Sequence, residues 1–284
     1  MRFYDIQLSL SRVRVWEMGR QRDPPVLLLH GGGVDHARLS WEPTLYRLAS
    51  LGFRAIAPDF PGYGDSPHPG RPVALEFLRD TVGELLDSLN LERVVLVGIS
   101  MGGGTALAFA LQQPERVKAL VLVGAYGLSS HLPGGRWAAA LVRMPQPQWV
   151  NETLSRSPFL LNLTLRGILR NSAARTPELR EIVAEAMHHS SPAWNEFQQS
   201  EIAPGATRLK TNFAPELPRL TMPVLVFHGQ QDATIPHQDV TKAFAALPHA
   251  EVHIVPHAGH WTQRDASAEF HSQLARFLFQ EVSE

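Results

Sequence analysis

A serine hydroxyl becomes a useful nucleophile only when a base can take its proton and a third group holds that base in place. Three residues of this chain, Ser100, Asp232 and His260, are of the right types. Ser100 lies in Gly98-Ile99-Ser100-Met101-Gly102, a G-x-S-x-G turn. Val94-Val95-Leu96-Val97 ahead of it suits a strand buried on both faces, and Ala106-Leu107-Ala108-Phe109-Ala110-Leu111 behind it suits a closely packed helix. Glycine on either side lets the backbone bend sharply, so the serine can take a strained conformation with Oγ outward. The unpaired N–H groups and positive dipole end of the following helix then face the site.

A second glycine run, His30-Gly31-Gly32-Gly33, follows the apolar segment Val26-Leu27-Leu28-Leu29. A phosphate cradle would want G-x-x-x-x-G-K-[ST], or G-x-G-x-x-G opening a helix, and the sequence has neither there. Paired with the serine turn, the run reads as a loop that aims a backbone N–H at a developing oxyanion. Asp232 stands just past the strand ending at His228, and His260 just past Val252-His253-Ile254-Val255-Pro256. Both positions are carboxyl ends of strands, where an open α/β sheet gathers its ligands. His257 is the rival base, but Gly259 beside His260 gives that loop the freedom a base needs. His188 and His189 are adjacent rather than spaced i, i+4, so no metal site is expected.

The rest of the composition narrows the possibilities. The 284 residues suit one large domain, or one domain with an insertion. With 26 Lys+Arg against 27 Asp+Glu the formal charge is −1, which offers no broad basic surface to nucleic acid or anionic membranes. There is no cysteine, which excludes thiolate catalysis and disulfides. No apolar run approaches the ~18 residues of a membrane span, and the N-terminus lacks the apolar core of a secretory signal. A cytoplasmic protein is expected.

The elements that must position these residues can be read in order. Alternation over residues 3–18 suggests two antiparallel strands. A helix over Trp41 to Leu51, a strand over Phe53 to Asp59 and a helix over Val73 to Leu89 follow, then the serine unit and the strand Val117 to Val123. Asp59, at a strand end, is expected to fix its loop by accepting backbone N–H groups. Alternating strands and helices imply a largely parallel sheet with right-handed crossovers. After Gly124 the rhythm breaks, and residues 126–219 read as a mostly helical insertion carrying Trp137, Trp149 and Trp194. Strands resume at Pro223, and residues 265–280 form a closing amphipathic helix.

Ser100, Asp232 and His260 in that order, with the His30-Gly33 loop, resemble the α/β-hydrolase superfamily. The resemblance implies an α/β fold with a mostly parallel eight-stranded sheet, helices on both faces and a helical cap inserted between strands 6 and 7. Residues 1–125 and 220–284 would form the core and 126–219 the cap. It implies an oxyanion hole made by the N–H groups of Met101 and Gly32, with Gly33 as the neighbouring choice, and no cofactor. Ser100-Met101-Gly102-Gly103, Gly259-His260-Trp261 and Thr176-Pro177-Glu178-Leu179 are similar to the branch that cleaves carbon–carbon bonds in meta-cleavage products. That branch carries asparagine before the nucleophile and an Arg-Trp pair after the Thr-x-Glu-Leu segment. Here Ile99 and Val183-Ala184 stand instead, with Arg170, Arg175 and Arg180 as candidates to compensate.

On this reading the chain is expected to hydrolyse small, fairly apolar carboxylic esters through an acyl-enzyme. Carbon–carbon hydrolysis of a dienolic ketone is the alternative, and a cofactor-free perhydrolase, which Ser100 to Gly104 also resembles, is another. Trp261, Trp137 and Trp194 are the expected substrate contacts. The partner is a small ester or ketone, with a homodimer left open. A ligand receptor on the same fold is the non-enzymatic alternative, against which the intact triad counts.

Overall fold

The computed structural model describes residues 1–144, 148–188 and 191–282. Its centre is an eight-stranded sheet. The strands are β1 (Arg2–Gln7), β2 (Arg12–Met18), β3 (Pro25–Leu29), β4 (Arg54–Pro58), β5 (Val94–Ile99), β6 (Val117–Val123), β7 (Val224–Gly229) and β8 (Ala250–Val255). They lie in the order β1-β2-β4-β3-β5-β6-β7-β8. β1 and β2 pair antiparallel, with Arg2 opposite Glu17, and β2 pairs antiparallel with β4; every other pairing is parallel. The connection after β3 runs one way, to β4, and that after β5 runs the other, to β6, so a crevice opens between the carboxyl ends of β3 and β5.

Alternate side chains of the central strands feed two cores. Leu27, Leu29, Leu96, Leu120, Leu122 and Val226 face one, while Val26, Leu28, Val95, Val97, Val121 and Leu225 face the other. With both faces covered, these strands are near-continuous apolar runs. On the first face pack α2 (Leu75–Ser88), α3 (Met101–Gln112) and α9 (His237–Phe244), and on the second α1 (Ala37–Ser50) and α11 (Ser267–Val282), with the short α10 (Thr262–Asp265) leading into α11. Each fully buried leucine or phenylalanine contributes roughly 1.5–3 kcal/mol.

Helix α1 begins four residues before the expected Trp41. His36 caps it, its Nδ1 accepting Leu39 N–H at 3.5 Å, and Asp59 adds a distant acceptor that local sequence does not reveal, taking Ala37 N–H at 2.8 Å. Pro43 inside α1 cannot donate to Leu39 O, and the Arg264 guanidinium donates to that carbonyl instead, Nε at 3.0 Å. The prolyl gap thereby ties α1 to α10.

Between β6 and β7 lie α4 (Gly135–Leu141), α5 (Gln148–Arg156), α6 (Pro158–Ile168), α7 (Pro177–His188) and α8 (Ala193–Glu201). The insertion attaches to both cores. Leu161, Leu165, Leu169, Leu179, Val183 and Met187 join the second, and Ala193 and Phe197 join the first. Its two ends meet through an antiparallel bridge between His131 and Arg208.

Candidate active site

Ser100 is the link between β5 and α3 and holds φ 50°, ψ −118°, a conformation side chains rarely adopt. The flanking glycines are required by close approach. A Cβ on Gly98 would lie 2.4 Å from Gly102 O, and one on Gly102 would lie 2.3 Å from Leu29 O. Backbone bonds fix the turn: Ser100 N–H donates to Val123 O at 3.0 Å, and Ser100 O accepts from Tyr126 at 2.9 Å. Ser100 itself is half-buried.

Its neighbour across the sheet is Gly124, with φ +46°, where a Cβ would stand 3.2 Å from His260 Nδ1 and 3.4 Å from Asp232 Oδ2. The end of β6 therefore lies between the serine turn and the other two candidates, bringing residues 100, 232 and 260 to one edge of the sheet. His260 Nδ1–H donates to Asp232 Oδ2 at 2.7 Å. The other oxygen, Oδ1, accepts Thr234 N–H at 2.7 Å and Ile235 N–H at 3.1 Å. Burial pushes the Asp232 carboxyl up, but His260, His228 and the Ile235 amide outweigh it and hold the group below the ordinary range. The rival His257 is exposed and, among the described residues, its ring hydrogen-bonds Gln231, at 3.4 Å, rather than Asp232.

The glycine run lies against the serine, with a Cβ on Gly31 falling 3.5 Å from Ser100 Cβ. Gly31 N–H is taken by Asp35 Oδ2 at 2.8 Å, which leaves Gly32 and Gly33 as the loop's remaining candidates beside Met101. Asp35 also accepts His36 N–H at 2.9 Å and the Ser40 hydroxyl, and burial pushes its carboxyl up to about 6. His30 is wholly buried, its Nε2 accepting Phe60 N–H at 2.9 Å, and burial pushes it down to about 3.

The three tryptophans singled out by sequence take different places. Trp194 lies against the glycine run: a Cβ on Gly32 would fall 2.1 Å from Trp194 Cζ3. It also stacks on Phe197 with centroids 5.7 Å apart and planes 11° from parallel. Trp261 is buried in the second core, to which Ile99 and Val183 also belong. Trp137 corrects the expectation. It is 82% exposed, because α4 turns Ala139 inward against Leu132, Val142 and Ile202 and leaves position 137 in solvent. The Trp149 side chain and all of His189 lie outside the described residues.

Asp59 does fix its loop, accepting Asp65 N–H at 3.1 Å and Trp16 Nε1–H at 3.2 Å as well as Ala37 N–H. Asp35 and Asp265, which hold the glycine run and the histidine loop, were not among the residues read from sequence. Asp35, just ahead of α1, carries the signature of an acid at a helix N-terminus. Asp265 has none, since its partners lie at 170, 171 and 259.

A cleft of about 470 Å³ opens between the insertion and the core, lined by Gly33, Val34, Tyr63, Ile182, Ala186 and Ser191 among others. A second hollow, about 520 Å³, lies around Ser130, Arg208 and Lys242; neither hollow is lined by Ser100, Asp232 or His260, and the first reaches the site only through Gly33 of the glycine run. Among the described residues no group of acids or histidines could hold a metal ion, and no helix is long and apolar enough to cross a membrane.

A family model described as alpha/beta hydrolase fold matches residues 24–267. A 2-hydroxymuconate semialdehyde hydrolase of Pseudomonas sp. strain CF600 is 34% identical over 262 residues, 89% of this chain and 86% of that one. A 2-hydroxy-6-oxo-6-phenylhexa-2,4-dienoate hydrolase of Burkholderia cepacia is 27% identical, covering 95% of this chain and 93% of that one. Among solved structures, a serine hydrolase from the polyaromatic hydrocarbon-degrading bacterium Cycloclasticus zankles superposes with TM-score 0.78 at 26% identity, over 98% and 97% of the two chains. A thermophilic esterase from Thermogutta terrifontis shares the fold, with TM-score 0.76 at 23% identity over 99% of each.

Proposed function

This chain belongs to the α/β-hydrolase family, and from that premise we propose that it is a serine hydrolase that splits a carbon–carbon bond beside a carbonyl group, in a dienolic ketone of the ring-fission type. The observation that carries the mechanism is the 2.7 Å His260–Asp232 bond at the sheet edge that also holds Ser100 in its strained turn. The named relatives carry the substrate class.

In this mechanism His260 Nε2 takes the hydroxyl proton as Ser100 Oγ attacks the carbonyl carbon. Asp232 holds Nδ1–H and stabilises the imidazolium that results. The oxyanion is received by the N–H groups of Met101 and Gly32, with Gly33 the alternative; losing one donor costs about 3 kcal/mol. Cleavage proceeds from the keto tautomer, in which the enol proton has moved to the carbon beside the attacked carbonyl and the former enol is the second carbonyl. Collapse then breaks the bond to that carbon, the electron pair is taken up as the dienolate of the second carbonyl, and the dienolate accepts the proton held by His260. A water deprotonated by His260 then frees the acid from Ser100. The insertion acts as the cap, with Trp194 walling the pocket beside the oxyanion loop, and the cleft past Gly33 and Ile182 is the way in.

One observation favours a second reading, hydrolysis of an uncharged ester. Ile99 and Val183, which stand where the resembling branch carries asparagine and arginine, are both buried in the apolar core with Trp261. Neither can receive a substrate carboxylate. The Arg170 guanidinium donates to Arg166 O and Gln231 O, and that of Arg175 to Leu169 O, so both have backbone work.

The test is kcat/KM on a coloured dienolic ring-fission acid, on its uncharged methyl ester and on short nitrophenyl esters. The proposal expects the dienolic compounds to lead, with the methyl ester ahead of the acid. Nitrophenyl esters in the lead would establish the second reading instead. Failure of a fluorophosphonate to label Ser100 would sink both and favour a receptor.

A further inference from the structure

Residues 168–171, from the last residue of α6 into its connection to α7, are where the insertion meets the loop that carries His260. Ile168 O accepts Trp261 N–H at 3.1 Å. Gly259 packs so tightly there that a Cβ would stand 2.6 Å from Ile168 O. Asp265, buried at the end of α10, holds both sides of this joint. Its Oδ2 accepts Gly259 N–H at 2.6 Å and Arg170 N–H at 3.0 Å. Its Oδ1 accepts Asn171 N–H at 3.0 Å, and its main-chain carbonyl accepts Asn171 Nδ2 at 2.9 Å. One carboxylate thus joins the backbone of the insertion to the residue immediately before His260. Charge-assisted bonds of this kind are roughly twice as strong as neutral ones.

We propose that Asp265 is a positioning residue through which the seating of the insertion sets the register of His260. The imidazole is fixed on one side by Asp232 and on the other by the backbone at Gly259. Thr262 Oγ1 and Gln231 N–H hold the loop from the core side, through Gly259 O and Ala258 O, and the shared carboxylate is what couples it to residues 170–171. A substrate that lets α6 and α7 settle on the core therefore completes the base, and one that props them away leaves it out of line with Ser100. The inference rests on the reading of His260 as the general base.

The experiment measures the rate at which a fluorophosphonate modifies Ser100, together with kcat and KM on whichever substrate is turned over. Asp265→Asn keeps the side chain's shape but turns an NH2 toward one of the N–H donors. Labelling and kcat should fall about 100-fold, the penalty of a misplaced catalytic group, with KM changed by less than about threefold. Asp265→Glu, which keeps the charge, should recover at least about tenfold of that loss. Asn171→Pro acts from the insertion. The native φ of −68° fits proline, and the change removes both Asn171 donors to Asp265. It should slow labelling about tenfold.

Thermal melting checks that each variant is folded, and if Asp265→Asn is not, Asn171→Pro decides. Folded variants that label Ser100 at the wild-type rate, or that change only KM, overturn the proposal. Failure of the functional reading looks different, because the wild-type protein would then itself resist labelling.

Discussion

Ser100 and His260 reach the same edge of the sheet by opposite means. The serine is held by its own neighbours: Gly98 and Gly102 make room for the bend, and β6 binds the turn through Val123 O. The histidine is held by residues far away in the chain, with Asp232 on one side and Ile168, Arg170 and Asn171 brought in through Asp265 on the other. A turn wedged between rigid backbone, with Leu29 on one side and Val123 on the other, cannot give by degrees, so damage to it is either purely chemical or structural and severe. A loop held by several separate segments can be loosened by degrees.

The largest effect separates chemistry from structure at the serine. Ser100→Ala should leave about a millionth of wild-type turnover, some 8 kcal/mol of barrier, with an unchanged melting temperature. Turnover of the preferred substrate at an undiminished rate would remove the nucleophile from the mechanism. Gly102→Ala tests the structural half. Its Cβ would meet the backbone of Leu29 and His30, at 2.3 and 2.4 Å. Neither carbonyl can swing aside as a side chain could, so the loss should be about 3 kcal/mol or more. A Gly102→Ala protein melting within a few degrees of wild type would show that the turn is not so confined.

The same contrast explains what could be read from the amino acids alone. The G-x-S-x-G turn, the buried strands and the triad order are short-range or periodic signals, and they led to Ser100, Asp232 and His260 and to the helical character of residues 126–219. The start of α1 was misplaced because its cap is His36, a weak signal in sequence, and the Ala37 N–H is taken by Asp59, 22 residues further on. Asp265 went unnoticed because an aspartate five residues after a histidine means nothing until residues 170–171 lie beside it. Trp137 was misjudged because composition distinguishes no faces on a seven-residue helix.

Buried acids of the core loops give a smaller, pH-dependent effect. Burial pushes Asp59 up to about 6 even though Ala37, Asp65 and Trp16 donate to it. The folded chain thus binds a proton more readily than the unfolded one, and this group's destabilisation grows as pH rises from about 4 to about 6. Asp35 acts in the same direction. His30 and His36 oppose them: burial pushes them down to about 3 and about 4, so the stability that comes from keeping them neutral is lost as pH falls below 6.5. Asp59→Asn isolates one member of this set. Between about pH 6 and pH 4 the wild-type protein should gain on the order of 3 kcal/mol relative to the variant. A stability difference that stays flat across that range would mean that Asp59 is solvated or permanently charged in the folded state.

The smallest effects compare two tryptophans of the insertion. Trp194 lies against Gly32 and stacks on Phe197, so Trp194→Ala should cost about 1–3 kcal/mol of stability and, if the proposed role beside the oxyanion loop holds, raise KM. Trp137, on the solvent side of α4, should tolerate alanine within about 0.5 kcal/mol, with kcat and KM unchanged. Sequence offers both as large aromatic rings in a helical segment, and only packing separates them. If Trp137→Ala disturbed turnover as much as Trp194→Ala, α4 would have to rotate or close inward during the reaction. The insertion would then be a moving part at its outer face as well as at its joint with the histidine loop.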